Sequence, residues 1–301
     1  MTALAQSLPP QIFDRALLER RRARVANSAT AHEFLLARIG EDFAERLSVV
    51  RRSFPVIADI GAHHGALGRA IMATTGLERL ISLENSPELL RHCGGTQMPG
   101  HAEALPFEPA SIDLAVSALS LHLTNDLPGA LVQIRRALKP DGLLMASLLG
   151  GATLSELRQA WLVAEAEVCG GASPRVAPFA DVRDLGGLLQ RAGLALPVVD
   201  SETLTVTYAT PLALMQEIKA MGASNMLIER SRRPVTRRLL LRAAEVYTER
   251  FALPNGRVPA TFEIITLTAW VPHESQPKPL APGSATARLA DALRVCEGTL
   301  K

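Results

Sequence analysis

The chain has 301 residues, of which 48% are hydrophobic and 21% are charged. This composition is typical of a globular protein and excludes a fully disordered chain. Lys and Arg number 32 and Asp and Glu number 30, so the formal charge is only +2, without the strong basic excess of a dedicated nucleic-acid-binding protein.

The cysteines and the apolar segments indicate the compartment. Cys93, Cys169 and Cys296 lie far apart and have neither zinc nor redox spacing. The first residues carry no basic segment followed by an apolar run, so we expect no secretory signal. The longest uncharged apolar stretch, 143–154, is shorter than the roughly 18 residues that span a bilayer. These features predict a cytoplasmic protein and leave peripheral contact with the inner membrane open.

Residues 1–54 predict an N-terminal helical cap. Apolar residues recur at helical spacing from Phe34 to Leu47, and Pro55 ends the pattern. An arginine-rich run at 20–24 precedes them. Such a run is most often a solvated helix face, and contact with a partner or a membrane is the alternative.

From Val56 onward, apolar strands alternate with helices. Strands are predicted at 56–60, 79–84, 112–117 and 143–149, with helices at 66–74, 87–92 and 126–138. The last helix stops before Pro140-Asp141-Gly142, a turn signal. This alternation specifies a parallel sheet covered on both faces, and right-handed crossovers make it doubly wound. The predicted fold class is therefore α/β.

The second half of the domain continues differently. It contains predicted helices at 154–168 and 181–192 and β-branched segments at 198–208 and 261–271. We pair the two β-branched segments as antiparallel edge strands. Between them, 211–251 predicts a helical insertion, which we expect to form a lid over the carboxyl end of the sheet. Residues 55–271 then form the main domain, and 272–301, rich in Pro, Ser and Ala, form a tail.

Loops that follow the strands carry the candidate cofactor site, since ligands of open α/β sheets bind beyond the carboxyl ends of the strands. The glycine turn after the first strand lets the backbone approach a ligand closely. Glu84 ends the second strand, and its carboxylate can accept both hydroxyls of a ribose. The predicted cofactor-binding residues are Asp59, Gly61, Gly65, Glu84, Ala102, Glu103 and Ser117.

His122, just past the fourth strand, is the main candidate for catalysis, and Asn125 and Asp126 follow it closely. A histidine there can act as a general base or, through Asp126, orient a guanidinium. The alternative is that Asp126 caps the next helix and that His122 only packs under the loop.

The neighbouring histidines His63 and His64 raise the question of a metal site. Adjacent side chains point apart, and no His-x-x-x-His spacing or carboxylate partner accompanies them. We therefore predict no metal, and we expect these histidines to cap the next helix or to face solvent.

Several longer motifs are more specific. They are IFDRALLERRRARVA (12–26), SALSLHLTNDLPGALVQIRRALKPDGLLMASLLGG (117–151), TLSELR (153–158), GGASPRVAPFADVRDLGGLLQRAG (170–193), MGASN (221–225), VPATFEI (258–264), HESQPKP (273–279) and GSAT (283–286). Segment 117–151 resembles class I S-adenosylmethionine-dependent methyltransferases. The whole set resembles, more narrowly, a bacterial member of the family of the mitochondrial complex I assembly factor 5.

The resemblance implies a Rossmann-like, mostly parallel sheet of seven strands and S-adenosylmethionine as the cofactor. It further implies a protein substrate, a complex I subunit, whose arginine is hydroxylated or methylated while NADH:ubiquinone oxidoreductase is assembled. It indicates no nucleic-acid partner and no oligomeric state.

The chain departs from the superfamily pattern at the predicted cofactor site. His63 replaces the middle glycine of the turn, and His101 replaces an acidic residue that faces adenine, although a neutral imidazole can still accept from the exocyclic amine. The family's Trp after the histidine is Leu123. Two alternatives therefore stay open: a small-molecule methyltransferase of the biotin-synthesis type, and a non-catalytic assembly chaperone with a degenerate cofactor site.

Overall fold

The computed structural model describes residues 11–72, 77–179 and 181–277. Residues 1–10 of the predicted cap, the end of the predicted helix 66–74, and the predicted tail beyond residue 277, with Cys296 and GSAT, lie outside these ranges. The strands are β1 Val56–Ile60, β2 Arg79–Glu84, β3 Thr96–Pro99, β4 Ile112–Ala118, β5 Leu138–Leu149, β6 Ala195–Tyr208 and β7 Val258–Trp270. The α-helices are α1 Arg15–Val25, α2 Phe34–Ser48, α3 Ala66–Met72, α4 Pro87–Leu90, α5 Leu127–Ala137, α6 Ser155–Cys169, α7 Val182–Arg191, α8 Pro211–Ala220 and α9 Arg237–Phe251. Short 3₁₀ helices cover Ala26–His32 and Leu121–Leu123.

The strands form one sheet of seven in the order β3-β2-β1-β4-β5-β7-β6. Neighbouring strands from β3 to β5 pair in parallel, whereas β7 pairs antiparallel with both β5 and β6. The predicted doubly wound, mostly parallel fold is confirmed. The antiparallel pairing of the two β-branched segments is also confirmed, but only β6 is an edge strand. Strand β7 lies inside the sheet because apolar side chains on both of its faces are buried, as Ile264 and Ile265 show.

The predicted turn at Pro140-Asp141-Gly142 lies within β5 instead. The pairing of β4 with β5 shifts register between Ile112 and Leu114, opposite this segment. Asp141 adopts a φ of +61° there and donates its backbone N–H to the Val271 carbonyl at 3.1 Å. The turn-forming residues therefore produce a local irregularity in a continuing strand.

Apolar side chains pack on both faces of the sheet. Helices α2, α3, α6, α8 and α9 cover one face, and α5 and α7 cover the other. The predicted helical spacing in α2 is confirmed, since Leu35, Ile39, Phe43 and Leu47 are all buried. Helix α2 is thus part of the main core, whereas the buried residues of α1, of the segment before it and of the 3₁₀ helix after it belong to small separate clusters.

The segment before α1 is held by the insertion. Asp14 donates its N–H to the Met226 carbonyl at 2.9 Å, and Ile228 donates to the Ile12 carbonyl at the same distance. The Asp14 side chain then caps α1. These contacts place α1 across the carboxyl ends of β1 and β2.

The insertion 211–251 is helical only in part, because no helix covers 221–236. Helix α9 buries Leu239, Val246 and Tyr247 in the main core, so it is not a mobile cover. Only the end of α8 and the loop that follows it contribute residues of the insertion to a cavity described below, and a lid function stays a prediction. None of the helices in the described ranges is long and apolar enough to cross a membrane.

Candidate active site

The turn after β1 requires glycine at two positions. Gly61 has a φ of +72° and Gly65 a φ of +80°, values that side chains rarely allow. A Cβ atom on Gly61 would lie 1.9 Å from Ser120 Oγ, and one on Gly65 would lie 2.9 Å from Cys93 Cα. The glycines thus let the turn pass close to the loop after β4 and to the segment after α4.

Glu84 is the best-defined acceptor of the site. Its residue is 1% exposed, at the carboxyl end of β2. One carboxylate oxygen accepts from the His63 amide at 3.0 Å, and the other accepts from the amides of Asn85 and Ser86 at 3.0 and 3.1 Å. These donors fix the orientation of the carboxylate, as binding of a ribose diol requires.

Helix α1 closes this part of the site. Arg22 Nη1 lies 3.3 Å from both carboxylate oxygens of Glu84. Two further contacts tie α1 to the sheet edge: Arg15 forms an ion pair with Glu103, and the side-chain amide of Asn85 donates to Glu19. The pocket that remains between α1 and the sheet has a volume of about 30 Å³, roughly the space of two water molecules. A nucleoside can enter only if the α1 side chains move.

The other predicted cofactor residues divide into two groups. Ala102 and Gly61 line the pocket, and Glu103, beside it, accepts from the Asn125 amide at 2.6 Å. Ser117 instead donates to the Ile60 carbonyl at 2.7 Å and lies in the core. Its geometry is structural, and its cofactor role stays a prediction.

Asp59 is fully buried and lines neither cavity described here. Its carboxylate oxygens find no hydrogen-bond partner among the described residues. Burial, and to a lesser extent the charge of Glu84, raise the pKa of Asp59 to about 7. Its predicted cofactor contact is therefore not a direct one in this conformation.

His101 differs from the expectation that it accepts from adenine. Its Nδ1 accepts from the Glu103 amide at 3.1 Å. Burial, followed by the charges of Arg15 and Arg22, lowers the pKa of His101 to about 4, so the ring is neutral at physiological pH. In the neutral ring Nε2 then carries the hydrogen, and His101 offers a donor to the adenine side of the pocket.

A larger, apolar cavity of about 170 Å³ adjoins the first pocket, and Arg22 lines both. Its walls are mainly leucine, methionine and phenylalanine side chains, among them Leu123, Met221 and Phe179. The polar residues that reach it are Arg22, His32, His63, His122, Arg175 and Asn225. A substrate beside the cofactor would therefore meet apolar walls with a few polar groups, as is usual for small-molecule sites.

Of the predicted catalytic residues, the structure brings only His122 to this cavity. Its ring packs edge-on against Phe179 with 5.7 Å between centroids, and its buried Nδ1 has no partner among the described residues. Burial, with the charge of Arg22, lowers the pKa of His122 to about 3. The neutral imidazole is available to a substrate as donor or acceptor.

Asn125 and Asp126 have structural contacts instead. The Asn125 carbonyl oxygen accepts from the Ile12 and Phe13 amides at 2.7 and 2.8 Å, so this side chain anchors the segment before α1. Asp126 caps α5 by accepting from the Gly129 amide at 2.8 Å. Neither residue lines the cavity. The contact of Asp126 is the helix cap that the sequence analysis gave as the alternative to a catalytic role.

The expectation for the adjacent histidines is wrong. They neither cap the helix nor face solvent: His64 is fully buried, and the two rings meet edge to face at 5.0 Å between centroids. Their Nδ1 atoms lie 2.7 Å apart, and His64 has a carboxylate partner, Glu33. The described residues contain no group of three or more His, Cys, Asp or Glu side chains placed to hold a metal ion.

Comparison with known proteins identifies the family. Residues 58–146 match a family model described as a methyltransferase domain. The chain is 35% identical over 291 residues to "Arginine-hydroxylase NDUFAF5, mitochondrial" of Danio rerio, which covers 94% of this chain and 90% of the relative. The human protein of that name is 37% identical over 93% of this chain and 83% of its own length. The chain belongs to this family, within the class I methyltransferase superfamily.

A second set of relatives shares the fold and most of the length. The malonyl-[acyl-carrier protein] O-methyltransferase of Halorhodospira halophila is 33% identical over 85% of this chain and 90% of its own. Among solved structures, the YcgJ protein of Bacillus subtilis matches 78% of this chain and 99% of its own with a TM-score of 0.53 at 15% identity, a likeness of fold alone. The chain is thus an enzyme of the S-adenosylmethionine-dependent superfamily, and S-adenosylmethionine is its cofactor.

For a member of this superfamily, the residues present fit that cofactor. Glu84 has two carboxylate oxygens that could accept from a ribose diol, Gly61 lets the backbone approach closely, and Ala102 and His101 line the same pocket. When bound, the cofactor supplies an electrophilic methyl group on a sulfonium centre.

Sequence reasoning missed three residues of this site: Arg22, Arg175 and Glu33. The arginine run that contains Arg22 was interpreted as a solvated face, yet the Arg22 side chain is only 12% exposed. A signal was available, because Arg15, Glu19 and Arg22 fall on one helix face at spacings of four and three. Arg175 and Glu33 had no local signal, since their partners lie on other elements.

Proposed function

We propose that this S-adenosylmethionine-binding protein modifies an arginine of a complex I subunit while NADH:ubiquinone oxidoreductase is assembled. The modification is either a methylation, for which the cofactor supplies the methyl group, or a hydroxylation, for which dioxygen and an external two-electron reductant must supply the oxygen atom and the electrons. The relatives named as arginine hydroxylases, similar over more than nine tenths of the chain, support the choice of arginine. The complex I subunit as target rests on the family resemblance of the sequence motifs.

The observation that carries the proposal is the apolar cavity of about 170 Å³ that adjoins the Glu84 pocket. Apolar walls suit the methylene stem of an arginine, while neutral His122 suits its N–H groups. A guanidinium must lose a proton before one of its nitrogens can act as a nucleophile. A carboxylate beside it would stabilise the guanidinium cation and so raise the free-energy cost of losing that proton, whereas a neutral imidazole does not.

The chain's own residues then have distinct tasks. Glu84 and the glycine turn orient the cofactor, the end of α8 and the following loop close the cavity, and the leucine-rich walls exclude water. His122 orients the reacting nitrogen through its free ring nitrogen.

A carboxyl group is the second candidate target, because Arg175 reaches the same cavity. Arg175 is partly buried beside Glu165, to which its Nε donates at 2.8 Å, and its guanidinium lies 5.0 Å from the Trp161 ring centroid. An arginine fixed in this way can hold an anionic substrate. The malonyl-[acyl-carrier protein] methyltransferase relatives favour this alternative.

The deciding experiment uses complex I subunits purified from a strain that lacks this gene. Each is incubated in air with the protein and the cofactor, with and without an added two-electron reductant, and analysed by peptide mass spectrometry. We expect one arginine to gain a methyl group or an oxygen atom, and an arginine-to-lysine variant of that subunit to gain neither. A methyl ester on malonyl-[acyl-carrier protein], with every arginine unchanged, would establish the second candidate instead.

Two further measurements separate an enzyme from an assembly chaperone. The deletion strain should contain less assembled complex I, and the wild-type gene should restore it while a Glu84→Gln gene does not. Restoration by that variant, together with no cofactor binding by the wild-type protein in a calorimetric titration, would favour the non-catalytic chaperone.

A further inference from the structure

The adjacent histidines connect the apolar cavity with the protein surface. His63 lines the cavity, and its Nδ1 lies 2.7 Å from His64 Nδ1. On the other side of His64, Nε2 lies 2.5 Å from Glu33 Oε2. The Glu33 side chain is 30% exposed, so a continuous hydrogen-bonded path runs from the cavity to solvent.

Glu33 determines where the hydrogens lie along this path. An ionised carboxylate only accepts hydrogen bonds, so His64 Nε2 carries a hydrogen and donates it to Glu33. In neutral His64 the other nitrogen has a free lone pair and accepts from Nδ1–H of His63. His63 Nε2 is then left without a hydrogen, and it has no hydrogen-bond partner among the described residues. The network thus leaves a free lone pair on Nε2 of His63, a residue that lines the cavity.

The surroundings favour the neutral form of both rings. Burial, followed by the charges of Arg22 and His64, holds the pKa of His63 well below its usual value. Burial also lowers the pKa of His64, against the opposing effect of Glu33, and Arg69 donates to Glu33 at 3.0 Å. The charged and titratable groups that face the pair are Arg22, Glu33, Arg69, Glu84, His92 and Cys93.

The backbone of His63 is strained. Its φ is +54°, in the left-handed region where glycine is the ordinary residue. It stands between Gly61 and Gly65, where the superfamily pattern has a third glycine, so a glycine there would relieve the strain. A histidine that keeps an unfavourable conformation and also heads a buried hydrogen-bonded path indicates a function for the side chain.

From this geometry we infer that His63 accepts the proton released by the group that is modified in the cavity, and that His64 and Glu33 are positioning residues which set its tautomer. The identity of that group rests on the proposed function.

In methylation, the lone pair of the target nitrogen forms the new N–C bond, the electron pair of the C–S bond stays on sulfur, and the nitrogen loses one proton. His63 Nε2 takes that proton, the Nδ1 hydrogen of His63 passes to His64, and the Nε2 hydrogen of His64 passes to Glu33 and then to water. Charge and atoms balance without any other reactant.

The first test needs no substrate. Long-range ¹H–¹⁵N spectra of the imidazoles in the full-length protein report which nitrogen of each ring is protonated. We expect His63 as the Nδ1–H tautomer and His64 as the Nε2–H tautomer. In the Glu33→Gln variant, the glutamine amide can donate as well as accept, so His63 should show a mixture of both tautomers. The control is His273→Gln, a substitution of an exposed histidine, which should leave the His63 tautomer unchanged. A wild-type His63 protonated at Nε2 overturns the inference.

The second test compares activity with stability. His63→Gly keeps the backbone amide that donates to Glu84, so cofactor affinity should not change, and relief of the backbone strain should offset part of the stability lost with the contact to His64. Turnover should fall by about 100-fold, the size of a general-base contribution, and by about 10-fold in Glu33→Gln. A His63→Gly variant as fast as the wild type overturns the inference. If wild-type protein modifies no arginine, the proposed function fails, and the tautomer spectra alone decide for or against the role of His63.

Discussion

Replacing Glu84 by glutamine tests the cofactor site most directly. The carboxylate offers two oxygens to the ribose diol, and glutamine keeps only one of them. The variant therefore loses one hydrogen bond to a charged acceptor, worth about 1.5–3 kcal/mol. At 1.4 kcal/mol for each factor of ten, the dissociation constant for S-adenosylmethionine should rise by roughly 10- to 150-fold.

The same substitution should lower stability, because Glu84 also serves the protein. Its oxygens accept from the amides of His63, Asn85 and Ser86, and the NH₂ group of glutamine leaves at least one of these buried donors without an acceptor. That costs about 1–3 kcal/mol, or a fall in the melting temperature of roughly 2–10 °C. Alanine would leave all of these donors unpaired, so glutamine is the cleaner variant.

The assay is a calorimetric titration with S-adenosylmethionine and S-adenosylhomocysteine, with thermal unfolding measured without ligand. Glu78→Gln is the matched control, since this exposed glutamate lies just before β2, at the opposite end of the strand. It should behave like the wild type in both measurements. Unchanged cofactor affinity in Glu84→Gln would refute the assignment of the ribose to this carboxylate.

Three other outcomes follow from the packing and charge of buried residues. The pKa of Asp59 is raised from its usual value of 3.8 to about 7 in the folded protein. The folded state therefore binds more protons than the unfolded state between those values, and Asp59 reduces stability as pH rises through them. Asp59→Asn should gain stability relative to the wild type as the pH rises from about 4 to about 7 in thermal unfolding, and a constant difference over that range would contradict the raised pKa. Leu239→Ala in α9 should lower the free energy of unfolding by about 2–5 kcal/mol. Leu241 lies on the same helix but is 42% exposed, so Leu241→Ala should change that free energy by no more than about 0.5 kcal/mol. Equal effects of the two substitutions in denaturant titrations would show that α9 is not part of the core. For the same reason, a chain without 211–251 should fail to give a cooperative unfolding transition, and a folded deletion variant with normal cofactor affinity would restore the interpretation of the whole insertion as a lid.

Helix α1 obstructs the predicted cofactor site in this conformation. Arg22 occupies the face of Glu84 that a ribose needs, and Asn125 holds the segment before α1 from the loop after β4. Cofactor entry must therefore move α1 side chains while the anchor at Asn125 remains. Asn125, which the sequence predicted to be catalytic, thus affects the site by holding the segment before α1.

Local patterns in the sequence determined most of the fold. The alternation of apolar strands and helices from Val56 to Leu149 predicted the parallel sheet, and the spacing from Phe34 to Leu47 predicted α2, because burial on one face leaves a periodic trace in the chain. The positions of Gly61, Gly65 and Glu84 at strand ends followed in the same way, since the carboxyl ends of parallel strands meet at one edge of the sheet.

The tertiary structure alone decided which side chains meet. Glu33 and His64 are 31 residues apart, and Arg22 and Glu84 are 62 apart; neither pairing leaves a periodic or spaced signal. The same holds for β7, whose alternation resembles that of an edge strand until β5 and β6 are both seen to pair with it. Such contacts depend on how whole elements pack, so the sequence located the site at the sheet edge and the packing of α1, α2 and the loop after β1 selected the residues that line it.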